Sequence, residues 1–571
     1  MVEILNLIRD AIKLSYDEEL DVKLYKTKKK EFGDLYTNVA IKLSRSINED
    51  PIAIADNIIL NMKYNDDDFT VYNNNGYINI TLKNYFSTIM DTIVSNNNLN
   101  IQDIGNGRLI LVLLNNISLY DDINFNTMRS FVYMKALINI LKFANFNVHS
   151  ECFLKNNKQL AIKIAQSVIY EVARQSLLNE NGNLQDADSI TDDLKREFIL
   201  DIDKHSTYIN RDFIQKIITK IINTEDEEFV TLPIKMQVEE CIGIIEQYVF
   251  NKLYRICGQF SIKGDMTDSY EFSNKLLKNK VIDEVIKILL DDNLAYTKPD
   301  GSIWYSSRNV DAHRCLVLED GSYTDTLYDI AYIYHVLRKY KPDHIISIYD
   351  ESYSCKKLMF DNNLIVNKQL LDQILVSYSE FDSTLNLLYK DIVSSTELRD
   401  MNGHPNFSFI YNNLFDNRRN CKSYLYESLS TNKNKKFSIN FTNTRGGSTK
   451  NNYIYITTCR IFNVLERGGF KVYKHEITDT TDIAYSNLNK KERELVLELY
   501  NFPEVIHKCV TTFEPAYLAK YVYKLAKLFN RFFAVTKILY DDPGVRKRRL
   551  YICQETYKII QKSTKLLGCD I

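Results

Sequence analysis

The sequence predicts a multidomain α/β protein with an N-terminal α+β domain, a central α/β domain and a C-terminal all-α bundle. Three patterns support this prediction. A buried-strand run at 109–114 precedes a helical pattern from Met128 to about Phe143, which opens a βαβ unit. Residues 76–82 alternate between apolar and polar side chains, as a half-buried strand does. After about residue 450 the apolar spacing is helical to the end.

The elements along the chain suggest three domains. In the first, residues 41–47 and 51–62 have helical apolar spacing, and Pro51 suits a first helical turn. A mostly helical, charged stretch at about 155–255 is predicted as an insertion into the second. We expect the domains to span residues 1–100, 101–430 and 431–571.

Composition limits the functions that the chain can have. A length of 571 residues is too great for a single core, and 45% hydrophobic with 26% charged residues is ordinary for a folded protein. A formal charge of −2 excludes a polycation, so a nucleic-acid surface has to be local. Ten cysteines without a C-x-x-C pair argue against zinc and disulfides, and we expect no metal site. Without a signal peptide or the ~18 apolar residues that span a bilayer, we expect a cytoplasmic protein and no membrane partner.

The N-terminal part carries a specific order of motifs. Residues 31–44 resemble the E-x-G-D-x-x-T-N-x-A-x-x-L signature of the N-terminal domain of arginyl-tRNA synthetases, and 51–55 and 76–79 follow in the family's order. In that family the domain contacts the tRNA elbow, which implies an RNA contact for Asn38. The alternative is that Gly33 and Asn38 serve only turn and cap geometry, which explains the residues singly but not their order.

The C-terminal part resembles the helical anticodon-binding domain of the same family, at 515–519, 529–532 and 566–568. Residues 514–571 contain 12 Lys or Arg and 5 Asp or Glu. Such a basic helical module can bind RNA through phosphate attraction and base stacking. Most of its aromatic side chains should pack in the core, because their spacing is helical. The candidates for RNA contact are Arg531, Arg546, Lys547, Arg548 and Arg549.

The central part resembles the Rossmann-like catalytic domain of these class I synthetases. Residues 300–304 and 315–324 follow the family's order, and the resemblance places Asp329 and Tyr332 near the arginine and ATP pocket. Arg129 is also retained. The match is weakest at 155–255 and 355–440.

Several active-site residues of the family are replaced in this chain. The His-x-Gly-His signature that binds ATP corresponds to Asn124, Asn126 and Thr127, and an upstream lysine to Asp121. A tyrosine that reads the arginine substrate corresponds to Asp325, and no K-M-S-K signature is found. Loss of one preorganised donor typically costs ~10²–10³ in rate. The residues therefore predict a pseudoenzyme with no cofactor, which would need ATP and Mg only if synthetase activity survives.

Three functions remain open. The leading hypothesis is a tRNA-binding adaptor or regulatory factor without aminoacylation activity, which binds an arginine-type tRNA and works with a protein partner such as a tRNA-modifying enzyme. The alternative is a divergent but active arginine–tRNA ligase that uses Arg129, Asp329 and Tyr332. The third is a structural or assembly subunit that reused the fold.

Overall fold

The computed structural model describes most of the residues of the chain. These are residues 2–18, 20, 22–27, 32–66, 69–82, 103–118, 125–155, 158–181, 211–224, 229, 232–259, 270–272, 280–306, 314–350, 371–376, 379–381, 418–433, 435, 437–439, 449–470 and 488–569.

The N-terminal domain packs three helices on a four-stranded antiparallel sheet of order β1-β2-β4-β3. The helices are α1 (Val2–Tyr16), α2 (Val39–Ile47) and α3 (Pro51–Asn61). The strands are β1 (Tyr25–Lys26), β2 (Leu35–Thr37), β3 (Phe69–Asn74) and β4 (Tyr77–Leu82). Gly33 has a positive φ of 77°, and a Cβ there would lie 2.7 Å from the carbonyl oxygen of Ile80. This glycine of the signature is therefore required by packing.

The central domain is built on a five-stranded parallel sheet of order β12-β11-β5-β6-β7. Its strands are β5 (Leu109–Ser118), β6 (Asn147–Lys155), β7 (Tyr270–Phe272), β11 (His344–Asp350) and β12 (Leu371–Val376). Helix α4 (Phe125–Phe143) connects β5 to β6, and α9 (Asp325–Tyr340) leads into β11.

Both faces of β5 are buried, which explains its continuous apolar run. Ile110, Val112 and Leu114 belong to the larger core, which includes α4. Leu111 and Leu113 belong to a second core on the opposite face, formed with α9. The sheet is therefore covered on both sides, with α4 and α9 on opposite faces.

Smaller elements surround this sheet. The region predicted as an insertion contains three helices in contact with one another, α5 (Lys158–Asn181), α6 (Arg211–Thr224) and α7 (Ile234–Gln259). Helix α8 (Val281–Asp291) packs on α9. An antiparallel sheet joins β8 (Ala295–Thr297), β9 (Ile303–Tyr305) and β10 (Arg314–Val317), and a parallel pair joins β13 (Ser379–Phe381) to β14 (Phe437–Ile439).

The C-terminal bundle contains six helices in the described residues. They are α10 (Arg418–Ser430), α11 (Lys450–Arg467), α12 (Lys490–Tyr500), α13 (Phe502–Thr512), α14 (Ala516–Val535) and α15 (Pro543–Leu566). Helix α4 of the central domain packs against α10, α13 and α15. The amide of Asn139 on α4, for example, donates to the carbonyl of Leu566 at 3.1 Å. No helix among the described ranges is long and apolar enough to cross a membrane.

Candidate functional site

The described end of β5 and the start of α4 lie at the carboxyl edge of the parallel sheet, the edge at which α/β folds bind phosphate groups. Strand β5 ends at Ser118 and α4 begins at Phe125. Asn126 and Thr127 lie in the first turn of α4, but their side chains, like Asp121 and Asn124 as a whole, lie outside the described structure. The loss of the ATP-binding signature therefore remains a prediction from sequence.

Arg129 joins α4 to the segment that follows α10. Its side chain is buried, and one terminal nitrogen donates to the carbonyl of Lys435 at 3.0 Å. The other donates to the carbonyls of Asn432 at 3.2 Å and Thr431 at 3.4 Å. These main-chain acceptors give Arg129 a structural role, and its role in the active site stays a prediction.

Asp329 and Tyr332 are both buried on α9, one helical turn apart. The hydroxyl of Tyr332 donates to Glu151 on β6 at 2.8 Å. Since this hydroxyl is already used and the ring is fully buried, Tyr332 stabilises the contact of α9 with the sheet. The structure does not place it on an open substrate surface.

Glu151 on β6 was not predicted from the sequence as a site residue. Its carboxylate is fully buried and accepts from the hydroxyls of Tyr332 and Tyr340. Lys339 and His149 approach it at 3.4 Å each. Burial, and secondarily the hydrogen bond to Glu151, raise the pKa of Tyr340. The available signal was an acidic residue inside a predicted strand of the βαβ unit, because a buried carboxylate needs partners.

An exposed row of tyrosines crosses the N-terminal sheet. The rings of Tyr25 and Tyr36 are 5.4 Å apart, and those of Tyr36 and Tyr77 are 5.8 Å apart. Tyr25 and Tyr77 are 38% and 41% exposed, which leaves ring faces available for stacking. Asn38 follows β2 as the N-cap of α2 and makes no side-chain capping bond. Helix capping by the side chain therefore does not explain why the family signature has an asparagine at this position.

The predicted basic contacts of the bundle divide into two groups. Arg531 and Arg546 are exposed and Lys547 is half-buried. Arg548 is buried, with a terminal nitrogen 3.2 Å from the carboxylate of Glu492, and Arg549 places Nε 2.6 Å from the same group. Arg548 and Arg549 are therefore corrected from RNA contacts to internal ion pairs.

The aromatic side chains of α14 behave as their spacing predicts. Tyr521, Phe529 and Phe532 are buried in the bundle core. At the bundle surface, by contrast, Arg460 lies 5.1 Å from the ring centre of the exposed Phe533. Within the described part of the chain, no cluster of His, Cys, Asp and Glu could hold a metal ion.

Comparison with known proteins agrees with this architecture. Residues 3–82 match the family described as "Arginyl tRNA synthetase N terminal domain", and 454–571 match the "DALR anticodon binding domain". The arginine–tRNA ligase of Thermotoga petrophila is 23% identical over 98% of this chain and 97% of its own length. The chain resembles arginyl-tRNA synthetases from end to end. A second relative, the arginine–tRNA ligase of Helicobacter pylori strain G27, is 23% identical over 99% of this chain and 98% of its own.

Solved arginyl-tRNA synthetases share the fold. The Plasmodium falciparum enzyme superimposes with a TM-score of 0.68 at 16% identity, covering 100% of this chain and 98% of its own. The Thermus thermophilus enzyme gives 0.69 at 13% identity, covering 99% and 98%. These structures confirm the predicted multidomain α/β architecture with a C-terminal helical anticodon-binding-type domain.

Proposed function

We propose that this protein belongs to the arginyl-tRNA synthetase family, binds tRNA and is an arginine–tRNA ligase, which attaches arginine to tRNA at the expense of ATP. The observation that carries the proposal is the end-to-end match with proteins named arginine–tRNA ligase, including both terminal modules. An arginine-type tRNA is the expected substrate, and the cytoplasm is the expected location.

Two surfaces support tRNA binding. The row formed by Tyr25, Tyr36 and Tyr77 offers ring faces on which unpaired bases can stack. In the bundle, Arg531 and Arg546 expose positive charge that attracts phosphates. Labelled tRNA should bind with an affinity that falls as salt rises, and unrelated RNA should compete poorly. Equal affinity for unrelated RNA would contradict a tRNA-specific role.

The ligase reaction requires the protein mainly to position ATP and arginine and to stabilise negative charge. The first turn of α4 suits a phosphate, because its backbone N–H groups have no partner within the helix. Magnesium would enter with ATP, since protein-bound Mg²⁺ is typically held by substrate phosphates and one or two carboxylates. Arginine-dependent exchange of pyrophosphate into ATP, measured with tRNA present, tests the ligase. Absence of any exchange would overturn it.

A second candidate is a tRNA-binding adaptor or regulator without ligase activity. It is favoured by the replacement of the ATP signature at Asn124, Asn126 and Thr127, and by the structural bonds that occupy Arg129 and Tyr332. Such a protein would bind tRNA and show no exchange. A partner such as a tRNA-modifying enzyme would then be recovered with the tRNA-bound protein from the native host. Failure to bind tRNA would leave only a structural role for the fold.

A further inference from the structure

A short segment between α10 and β14 is held by two domains at once. We call residues 431–433 and 435 the bridge. From the central domain, Arg129 on α4 donates to the carbonyls of Thr431, Asn432 and Lys435, over 3.0 to 3.4 Å. One planar guanidinium thus fixes three peptide groups, which a lysine ammonium at the same position could not match in geometry.

The C-terminal bundle holds the bridge from the other side. The backbone N–H of Lys433 donates to the Glu514 carboxylate at 3.0 Å, and its ammonium donates to the carbonyl of Thr512 at 2.9 Å. Lys520 on α14 donates to the side-chain oxygen of Asn432. The other oxygen of Glu514 accepts from the N–H of Ala516 at 3.2 Å, in the first turn of α14. Glu514 therefore links the start of α14 to the bridge.

The turn that carries Glu514 also touches the central domain directly. The hydroxyl of Tyr133, one turn beyond Arg129 on α4, donates to the carbonyl of Phe513. The ring of Phe513 stacks on His344 at the start of β11, with centroids 5.7 Å apart. Burial raises the pKa of Tyr133, with the charge of Glu514 as the next cause, which agrees with their proximity.

Both charged holders of the bridge lie inside the protein. Arg129 is 2% exposed and Glu514 is 5% exposed. A buried charged group that loses its hydrogen-bond partner is strongly destabilised, so neither holder can release the bridge without a large penalty. The bridge is therefore tied to both the start of α14 and the first turns of α4.

We propose that the bridge couples the C-terminal bundle to the N-terminal end of α4, with Arg129 and Glu514 as its positioning residues. RNA held by the bundle then changes the order of the helix end that borders the candidate nucleotide site. The mechanical coupling stands without RNA, whereas its use as a response to tRNA rests on the proposed function.

The coupling is tested first without RNA, by amide hydrogen exchange of the full-length protein. Glu514→Gln keeps the side-chain shape, but its amide nitrogen cannot accept one of the two N–H bonds. We expect exchange in the second and third turns of α4, whose N–H groups are bonded within the helix, to accelerate about fivefold or more. Arg129→Lys should accelerate exchange at the start of α14 to a similar degree.

Matched controls distinguish coupling from general loosening. Lys524 also lies on α14, and its ammonium is 2.6 Å from the carboxylate of Glu498. Lys524→Gln breaks this ion pair, which does not involve the bridge. It should leave exchange in α4 unchanged. Lys142→Gln, exposed in the last turn of α4, should leave the start of α14 unchanged. Normal exchange in α4 of a folded Glu514→Gln protein, or equal acceleration by Lys524→Gln, would overturn the proposal.

The second arm adds tRNA. Bound tRNA should slow exchange in the second and third turns of α4 of the unmodified protein, and this protection should be lost in Glu514→Gln and in Arg129→Lys. One outcome is that the variants accelerate amide exchange across the domain contact while neither they nor the unmodified protein binds tRNA. In that case the coupling stands and the proposed function fails. If tRNA binds and α4 exchange does not respond, the response to RNA is wrong.

Discussion

Arg548 and Glu492 form an ion pair in the interior of the C-terminal bundle, with Nη2 3.2 Å from Oε2 and side chains only 2% and 0% exposed. Glu492 also accepts from Arg549 and from the backbone N–H of Asn489, where it completes the capping box of α12. A carboxylate with this many donors is a structural centre of the bundle, because it ties α12 to α15.

Arg548→Met should therefore destabilise the bundle without acting on RNA directly. Removing one member of a buried ion pair leaves the other charge with fewer partners, and we expect a loss of about 3 kcal/mol. Amide exchange in α12 and α15 measures this loss for the bundle separately from the other domains. The exposed Arg546→Met on the same helix is the control and should change stability by no more than about 0.5 kcal/mol. Equal effects of the two substitutions would contradict the assignment.

Arg531 and Arg546 should contribute to tRNA affinity through phosphate attraction. Replacing either by Ala should reduce the slope of log affinity against log salt by about 0.7–0.9, the value for one phosphate contact. Filter binding over a salt series measures the slope. Arg338→Ala, an exposed arginine of the central domain paired with Glu284, should leave it unchanged. An unaltered slope in both bundle variants would place the RNA elsewhere.

Tyr77→Ala should weaken tRNA binding by about 1–3 kcal/mol, the typical contribution of one base stacked on an aromatic ring. Because the ring is 41% exposed, folding should be unaffected. Tyr77→Phe keeps the ring and should retain most of the affinity. Tyr254→Ala removes a similarly exposed tyrosine from α7 and should have no effect on binding. Full affinity of Tyr77→Ala would show that the tyrosine row is not an RNA surface.

The stability of the bundle should fall in alkali. Burial, and next the charge of Glu498, raise the pKa of Tyr521 well above its usual value of about 10. The unfolded chain releases this proton near pH 10 while the folded chain keeps it, so the stabilisation is complete below that pH and is lost as pH rises above it. Urea unfolding at pH 8 and above pH 10 measures the decline. The loss of stability between these two pH values should be smaller in Tyr521→Phe than in the unmodified protein. It should be the same as in the unmodified protein when the exposed Tyr540 is replaced by Phe.

Local sequence patterns predicted the features that are set by residues close together in the chain, such as which side chains of a strand or helix are buried. The apolar run of β5 and the helical spacing of Phe529 and Phe532 gave their positions correctly, because burial follows period. Arg531 and Arg548 looked alike in sequence, since both are basic residues near the C-terminus. Only the tertiary fold brings Glu492 to one of them. The partners of Arg129 are likewise about three hundred positions away, so spacing could not reveal them.

The strand order has a consequence for how the chain is made. In the sheet, strand β11 lies between β5 and β12. Along the chain, however, the helical insertion and the small antiparallel sheet both come between β5 and β11. During synthesis one edge of β5 therefore stays unpaired, and the underside of the sheet uncovered, until α9 and β11 have left the ribosome. Open apolar strand edges promote aggregation, and such non-local pairing is slow. The nascent chain should depend on chaperones most strongly before β11 is complete at Asp350, and truncations that end before α9 and β11 should be insoluble.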